Sequence, residues 1–344
     1  MDAAGIAAAL AHLRQVTGGF VPRVGVICGS GLSGLSKCLE EAQVVAYEDI
    51  PGFPRTTVAG HHGELVFGRV GACKVVLMRG RFHSYEGHSM QTVTAPVKLM
   101  RALGAELLVV TNAAGGLNRS YAVGDLMIIS DHIGLPLLAG KHPLVGLNDD
   151  TFGGPRFLPV SDAYDPALRQ LVVESAAELG LGFVHRGGCY CFVSGPAYES
   201  AGESRMLLQL GGDSVGMSTV PEIIVARHCG MKVLGLSLIT NSVRLPGDEG
   251  PAASHEEVLE TVAMRSAQLE QLVRKVLGQL EPAQWAKLEP RLARDCAQGD
   301  AKAAAASAKS LRDQVLAMDI SSMTPLQALV ALNDLKQAAL QGAK

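Results

Sequence analysis

Val24-Gly25-Val26-Ile27-Cys28-Gly29-Ser30-Gly31-Leu32-Ser33-Gly34 joins a five-residue apolar run to a loop in which every second or third residue is glycine. An uninterrupted apolar run this short marks a strand covered on both faces, the condition of a central strand in a parallel sheet. The glycines let backbone N–H groups approach an oxyanion at a helix start, and Ser30 adds a hydroxyl donor. Gly29, Gly31 and Gly34 also match G-x-G-x-x-G letter for letter, with Glu48 and Asp49 near the spacing of a ribose-binding acid. On these residues alone a dinucleotide site stays open beside a phosphate loop.

The same kind of run recurs at Leu65–Phe67, Lys74–Met78, Glu106–Thr111, Asp125–Ile129, Tyr190–Val193, Ser214–Met217 and Lys232–Leu238. Helix-like segments lie between several of them: Thr92–Leu103, Asp165–Leu179, Ala201–Leu210, Pro221–His228 and Ser254–Leu280. Strands alternating with helices predict an α/β fold whose mostly parallel sheet is flanked by helices. The stretch Gly134–Tyr164 is rich in Gly, Pro and Asp and has no periodicity, so it reads as a long functional loop.

At roughly 150 residues per domain, 344 residues suggest about two domains, or one large α/β domain with an appendage. Glu281-Pro282 breaks the last long helix, and Ala301–Ala308 is low in complexity. We therefore divide the chain into a catalytic domain, residues 1–280, and a helical C-terminal extension, 281–344. With 18% charged residues, 48% hydrophobic residues and a net charge of −3, the chain lacks the positive field that holds nucleic acid. No apolar run is long enough to cross a membrane, and MDAAGIAAALAHLRQVTGG opens without a basic stretch, so no membrane association and no secretory signal are expected. Seven cysteines, mostly inside apolar runs, read as buried thiols of a cytoplasmic protein.

Chemistry-bearing residues cluster after the apolar runs. Arg79-Gly80-Arg81-Phe82-His83-Ser84-Tyr85-Glu86 follows one of them; Arg81 supplies a permanently charged fork and His83 a second donor. Thr111-Asn112-Ala113-Ala114-Gly115-Gly116 offers small residues against which a ligand can lie. Ser194-Gly195-Pro196-Ala197-Tyr198-Glu199 pairs an aromatic face with a carboxylate, suited to a flat heterocycle bearing an N–H. Met217-Ser218-Thr219 and Thr240-Asn241-Ser242 close two more runs. Neither His61-His62 nor any other spacing completes a metal shell, and Ser30 is not in a nucleophile elbow.

Taken together, ICGSGL (27–32), GRFHSYEGH (80–88), VVTNAAGGLN (109–118), VSGPAYES (193–200), VGMSTVPEIIVARH (215–228) and SLITN (237–241) resemble the trimeric purine nucleoside phosphorylases, from roughly residue 20 to 280. The resemblance implies a twisted mixed sheet flanked by helices, a homotrimer, and reversible phosphorolysis of 6-oxopurine (2′-deoxy)ribonucleosides in purine salvage. It turns the glycine loop into a phosphate loop. It further implies a phosphate site at Ser30, His61, Arg81, His83, Ala113 and Ser218, and a nucleoside site at Tyr85, Phe157, Tyr198, Glu199, Met217, Asn241 and His255. Asn241, Glu199 and His83 would carry the catalysis, Phe157 would enter the neighbouring subunit's site, and inorganic phosphate would be a co-substrate with no cofactor or metal. Tyr198 where Phe is commoner, Ser33 in the phosphate loop and a divergent stretch 242–250 depart from the family pattern. The sister 5′-methylthioadenosine phosphorylases, which tend to carry Asp at the position of Asn241, and a catalytically inactive nucleoside-binding protein are the alternatives.

Overall fold

The computed structural model describes residues 1, 3–29, 32–56, 62–148, 150–152, 154–249 and 255–280. In chain order they form α1 (Ala3–Val16), β1 (Val24–Cys28), β2 (Glu40–Ala46), β3 (Glu64–Val70), β4 (Cys73–Arg79), α2 (Met90–Leu103), β5 (Leu107–Gly116), β6 (Leu126–Gly134), α3 (Leu135–Leu138), α4 (Pro166–Glu178), β7 (Val184–Phe192), α5 (Ala201–Gln209), β8 (Ser214–Gly216), α6 (Val220–His228), β9 (Lys232–Ser242) and α7 (His255–Gly278). The expected boundary near 281 and the helical extension 281–344 lie outside the described residues.

The helix ends follow from local chemistry. Ser89 accepts from Thr92 N at the start of α2, and Asp165 accepts from Ala167 N and Leu168 N ahead of Pro166 in α4. Ser200 and Glu203 exchange side-chain and backbone bonds at the start of α5. Each arrangement satisfies N–H groups that the first helical turn leaves without partners.

The nine strands run in the order β2-β3-β4-β1-β5-β8-β7-β6-β9, and β9 pairs a second time, with β5. Strands β5, β8, β7, β6 and β9 therefore close into a ring, with β1 to β4 extending from it as an open wing. The fold is α/β, as the alternation predicts, with the mixed sheet that the resemblance implies. β4, β1, β5 and β9 are successively parallel, as are β6, β7 and β8. The antiparallel pairs are β2–β3–β4, β5–β8 and β6–β9. All five residues of β1 are buried, as its apolar run requires, and α2, α6 and β9 contribute to the core around it.

Three local expectations change. Asn112–Gly116 and Ile239–Ser242 continue as strand beyond their apolar runs, because β5 and β9 pair with each other along their whole length. Such pairing satisfies the backbone even where side chains are small or polar. The glycine loop leads into a 3-10 turn, Leu32–Cys38, instead of an α-helix. Within 134–164 the short α3 and a 3-10 turn at Asp150–Phe152 interrupt the expected loop.

Candidate active site

At the C-terminal ends of β4, β5, β8 and β9 lies a cavity of about 300 Å³, walled by Arg81, His83, Tyr85, Asn112–Gly115, Tyr198, Glu199, Val215–Ser218, Thr240, Asn241 and Val258. The carboxyl edge of an α/β sheet is where ligands sit, since loops and strand ends there converge without a covering helix.

Backbone proximity builds one wall. A Cβ at Gly29 would fall 2.6 Å from Asn112 Cα and 2.8 Å from Thr111 O, so the first glycine is required where β1 meets β5. Thr111 Oγ1 fastens the same crossing, accepting from Gly29 N and donating to Ile27 O, both at 3.1 Å.

The cationic side of the cavity is organised around Arg81, which is buried. Glu222 Oε1 accepts from its Nε at 3.1 Å and its Nη2 at 2.7 Å, and both side chains are 2% exposed. The Nη1 group donates to Ser218 Oγ (3.0 Å), Thr111 O (3.1 Å) and Thr219 Oγ1 (3.2 Å). Thr219 Oγ1 also accepts from Asn112 Nδ2 at 2.9 Å. His83 lies beside this cluster, with its backbone N and Nδ1 at 2.8 and 3.0 Å from Glu86 Oε1. Burial lowers the His83 pKa, partly opposed by the Glu86 hydrogen bond, so the neutral ring keeps its Nδ1 proton on Glu86. The ring of Tyr85 stacks on His83 at 4.6 Å, and burial pushes the Tyr85 hydroxyl up to about 12.

A second group faces the same cavity. Glu199 is held above the ordinary carboxylate value by burial, which marks a carboxylate shielded from bulk water. Asn241 is buried, and its Oδ1 accepts from Thr240 Oγ1 at 3.3 Å. Its Nδ2 lies 3.4 Å from where a Cβ on Gly115 would be, on the cavity wall. Ala114 pairs with Ile239 but Gly115 pairs with Asn241, so Thr240 is an extra residue in β9. This bulge lets Thr240 and Asn241, neighbours in sequence, both line the cavity, which strict alternation forbids.

Of the residues implied by resemblance, Arg81, His83, Ala113 and Ser218 come together with Tyr85, Tyr198, Glu199, Met217 and Asn241. Phe157 does not join them: it is 88% exposed and lines a separate cavity with His142, Leu144 and Arg156. Ser30, His61 and the side chain of His255 lie outside the described residues, as do Gly31 and the side chain of Ser33. Glu222 was not singled out by sequence reasoning, and Thr219 and Glu86 stood in quoted stretches without a role of their own. Glu222 had a signal: one acid in the apolar run Val-Pro-Glu-Ile-Ile-Val-Ala must be buried, and a buried carboxylate needs a cation. Among the described residues no group of three or more His, Cys, Asp or Glu could hold a metal ion.

A sequence profile of the phosphorylase superfamily matches residues 23–278. The chain is 51% identical to the purine nucleoside phosphorylase of Mus musculus over 252 residues, covering 73% of this chain and 87% of the relative. It is 48% identical to that of Saccharomyces cerevisiae over 285 residues, covering 78% and 91%. Among solved structures, Schistosoma mansoni purine nucleoside phosphorylase in complex with inosine aligns with a TM-score of 0.77 at 44% identity, covering 81% of this chain and 97% of that one. Profile, relatives and cavity agree: the chain belongs to the phosphorylase superfamily and, within it, to the purine nucleoside phosphorylase family.

Proposed function

We propose that this enzyme catalyses reversible phosphorolysis of 6-oxopurine ribo- and 2′-deoxyribonucleosides, giving the free base and (deoxy)ribose 1-phosphate. The observation that carries the reading is one cavity holding a buried guanidinium with hydroxyl donors and, on another wall, a shielded carboxylate with an amide. Schistosoma mansoni relatives have been solved with inosine and with cytosine and ribose-1-phosphate, and a Schistosoma relative with guanosine.

The chemistry follows from the residue types. As the glycosidic bond lengthens, positive charge grows on the sugar and negative charge on the purine. Inorganic phosphate, gripped by Arg81, Ser218 and the Ala113 backbone, stands against the first. Asn241 donates to the purine edge where the second accumulates, and Glu199 accepts from the ring N–H. A donor placed where charge develops is worth roughly 2.7–4 kcal/mol. Neutral His83, its Nδ1 proton held by Glu86, turns Nε2 toward a phosphate hydroxyl as acceptor. Tyr85 and Met217 flank the sugar and Tyr198 the base. Ser30 and His61 complete the phosphate site and His255 the sugar site in this reading. Phosphate is a co-substrate, and no metal or other cofactor is invoked.

Asn241 supports this reading over a 5′-methylthioadenosine phosphorylase, because an amide both donates and accepts, whereas a carboxylate pairs with a 6-amino group. The intact set Arg81, His83, Glu199 and Asn241 supports an enzyme over an inactive binder. Exposed Phe157 lies on the same stretch as Leu138 and Leu147, which are 80% and 99% exposed. That apolar surface supports a homotrimer in which Phe157 enters a neighbour's site; sedimentation at a monomer's mass would contradict it. The domain assignment is 1–280 catalytic and 281–344 a helical extension, in a cytoplasmic salvage enzyme that binds neither nucleic acid nor membrane. Incubation with inosine, with and without phosphate, tests the reaction: release of hypoxanthine only with phosphate is expected, and phosphate-independent release would make it a hydrolase.

A further inference from the structure

We infer that Glu222 and Thr219 are positioning residues for the phosphate end of the site, holding Arg81 and Ser218 in the one arrangement that presents both to the anion. The inference rests on the phosphorolysis reading for the identity of that anion.

Glu222 grips one edge of the guanidinium, Nε and Nη2, with a single oxygen. That grip leaves the Nη1 corner to Ser218 Oγ, a cavity-lining hydroxyl, and to Thr219 Oγ1 and Thr111 O. Its other oxygen, Oε2, is buried with no hydrogen-bond partner among the described residues. A buried carboxylate oxygen without a donor is a standing cost, and a pair kept only for stability is often replaceable by apolar side chains of equal volume. A charge kept at such cost fits a site whose cation must be aimed and electrically balanced before an anion arrives.

Thr219 carries the second part. Its backbone sits at φ 82°, ψ −54°, and Val220 N donates to Ser218 O at 3.0 Å. This is a γ-turn of the positive-φ kind, rare and strained, and a β-branched residue is poorly suited to it. Glycine would adopt it without strain but has no hydroxyl. Thr219 Oγ1 is the point where Asn112 Nδ2, Arg81 Nη1 and Ser218 Oγ meet, at 2.9, 3.2 and 3.2 Å. The turn also begins α6, so one kink sets Ser218 before it and Glu222 one helical turn after it.

Steady-state kinetics with inosine and inorganic phosphate, with phosphate titration calorimetry in the absence of nucleoside, test this on Glu222→Gln, Thr219→Ser and Thr219→Gly. Glu222→Gln keeps the volume but loses the charge-assisted grip on Nε and Nη2. Its phosphate KM and calorimetric Kd should rise severalfold while kcat falls at least about tenfold, because small misplacements of an aligned group are costly; the inosine KM should stay within about twofold. Thr219→Ser should retain near wild-type kcat/KM for phosphate. Thr219→Gly should lose at least about tenfold with a folding midpoint close to that of wild type. Wild-type kinetics in Thr219→Gly, or parallel changes in kcat and both KM values in Glu222→Gln, would overturn the inference. A wild-type enzyme inert toward inosine but binding phosphate would sink the reaction assignment instead, leaving the calorimetric comparison to decide this one.

Discussion

Thr240 and Asn241 are consecutive residues of β9, yet both face the same cavity. The bulge between the Ala114–Ile239 and Gly115–Asn241 pairs makes this possible, and it puts a neutral amide on the cavity wall, which the proposed function assigns to the purine edge. Asn241→Asp should lower kcat for inosine by about 10²–10³ and raise the adenosine-to-inosine activity ratio. An unchanged ratio in a spectrophotometric assay of both substrates would remove Asn241 from base recognition.

Gly115 stands opposite that amide. A Cβ there would lie 2.7 Å from Val243 Cγ1 and 3.4 Å from Asn241 Nδ2. Gly115→Ala should therefore displace Val243 and loosen Asn241, destabilising the fold by about 1–3 kcal/mol and reducing turnover more than phosphate binding. Denaturant titration and kinetics check the two halves separately.

Removing one member of the buried Arg81–Glu222 pair strands the other in the core. Arg81→Met should cost about 3–5 kcal/mol in urea unfolding and abolish phosphate binding. The double variant Arg81→Met with Glu222→Met should be more stable than Arg81→Met alone. Additive losses would mean the pair is not coupled.

In the proposed function Glu199 must be ionised to accept the ring N–H, and burial raises its pKa above the ordinary 4.5. The acid limb of inosine kcat/KM should therefore fall at higher pH than an exposed glutamate would give. Glu199→Gln should be slow and should lack that limb; a limb that persists belongs to another group.

His83 and His132 are both lowered from the ordinary 6.5, each chiefly by burial. Below 6.5 the unfolded chain protonates first, so the folded chain binds fewer protons and stability falls with pH. Their contribution is complete above about pH 6.5 and is lost as pH drops through the folded values. A melting temperature that declines on acidification below this point is the expected result, and Glu86→Gln should steepen the decline because it removes the partner that favours the charged His83.

The sequence revealed much of this because its apolar runs are short and uninterrupted: Val24–Cys28 matches β1 residue for residue. It concealed strand direction, since β3 and β4 carry runs like those of β1 but pair antiparallel through a tight turn at Gly71, φ +58°. It also disguised strand length. Thr111–Gly116 and Thr240–Ser242 are small or polar, and only the partner strand makes them extended. In the site, the ligand-facing residues were legible as polar groups following apolar runs. The positive φ of Thr219 was not, because a threonine after serine gives no hint of it, and neither was the bond that ties Glu86 to His83 within the stretch they share.

The second pairing of β9 also governs how the chain can be made. Leu107 has to find Lys232 before the ring closes, and ribosomal synthesis delivers β5 and β6 long before that strand. In the interval both present open edges that invite pairing with other chains. Truncation anywhere before Lys232 should thus yield insoluble protein rather than a soluble, inactive one. The strand that brings Thr240 and Asn241 to the cavity is the one whose arrival ends the nascent chain's exposure to aggregation.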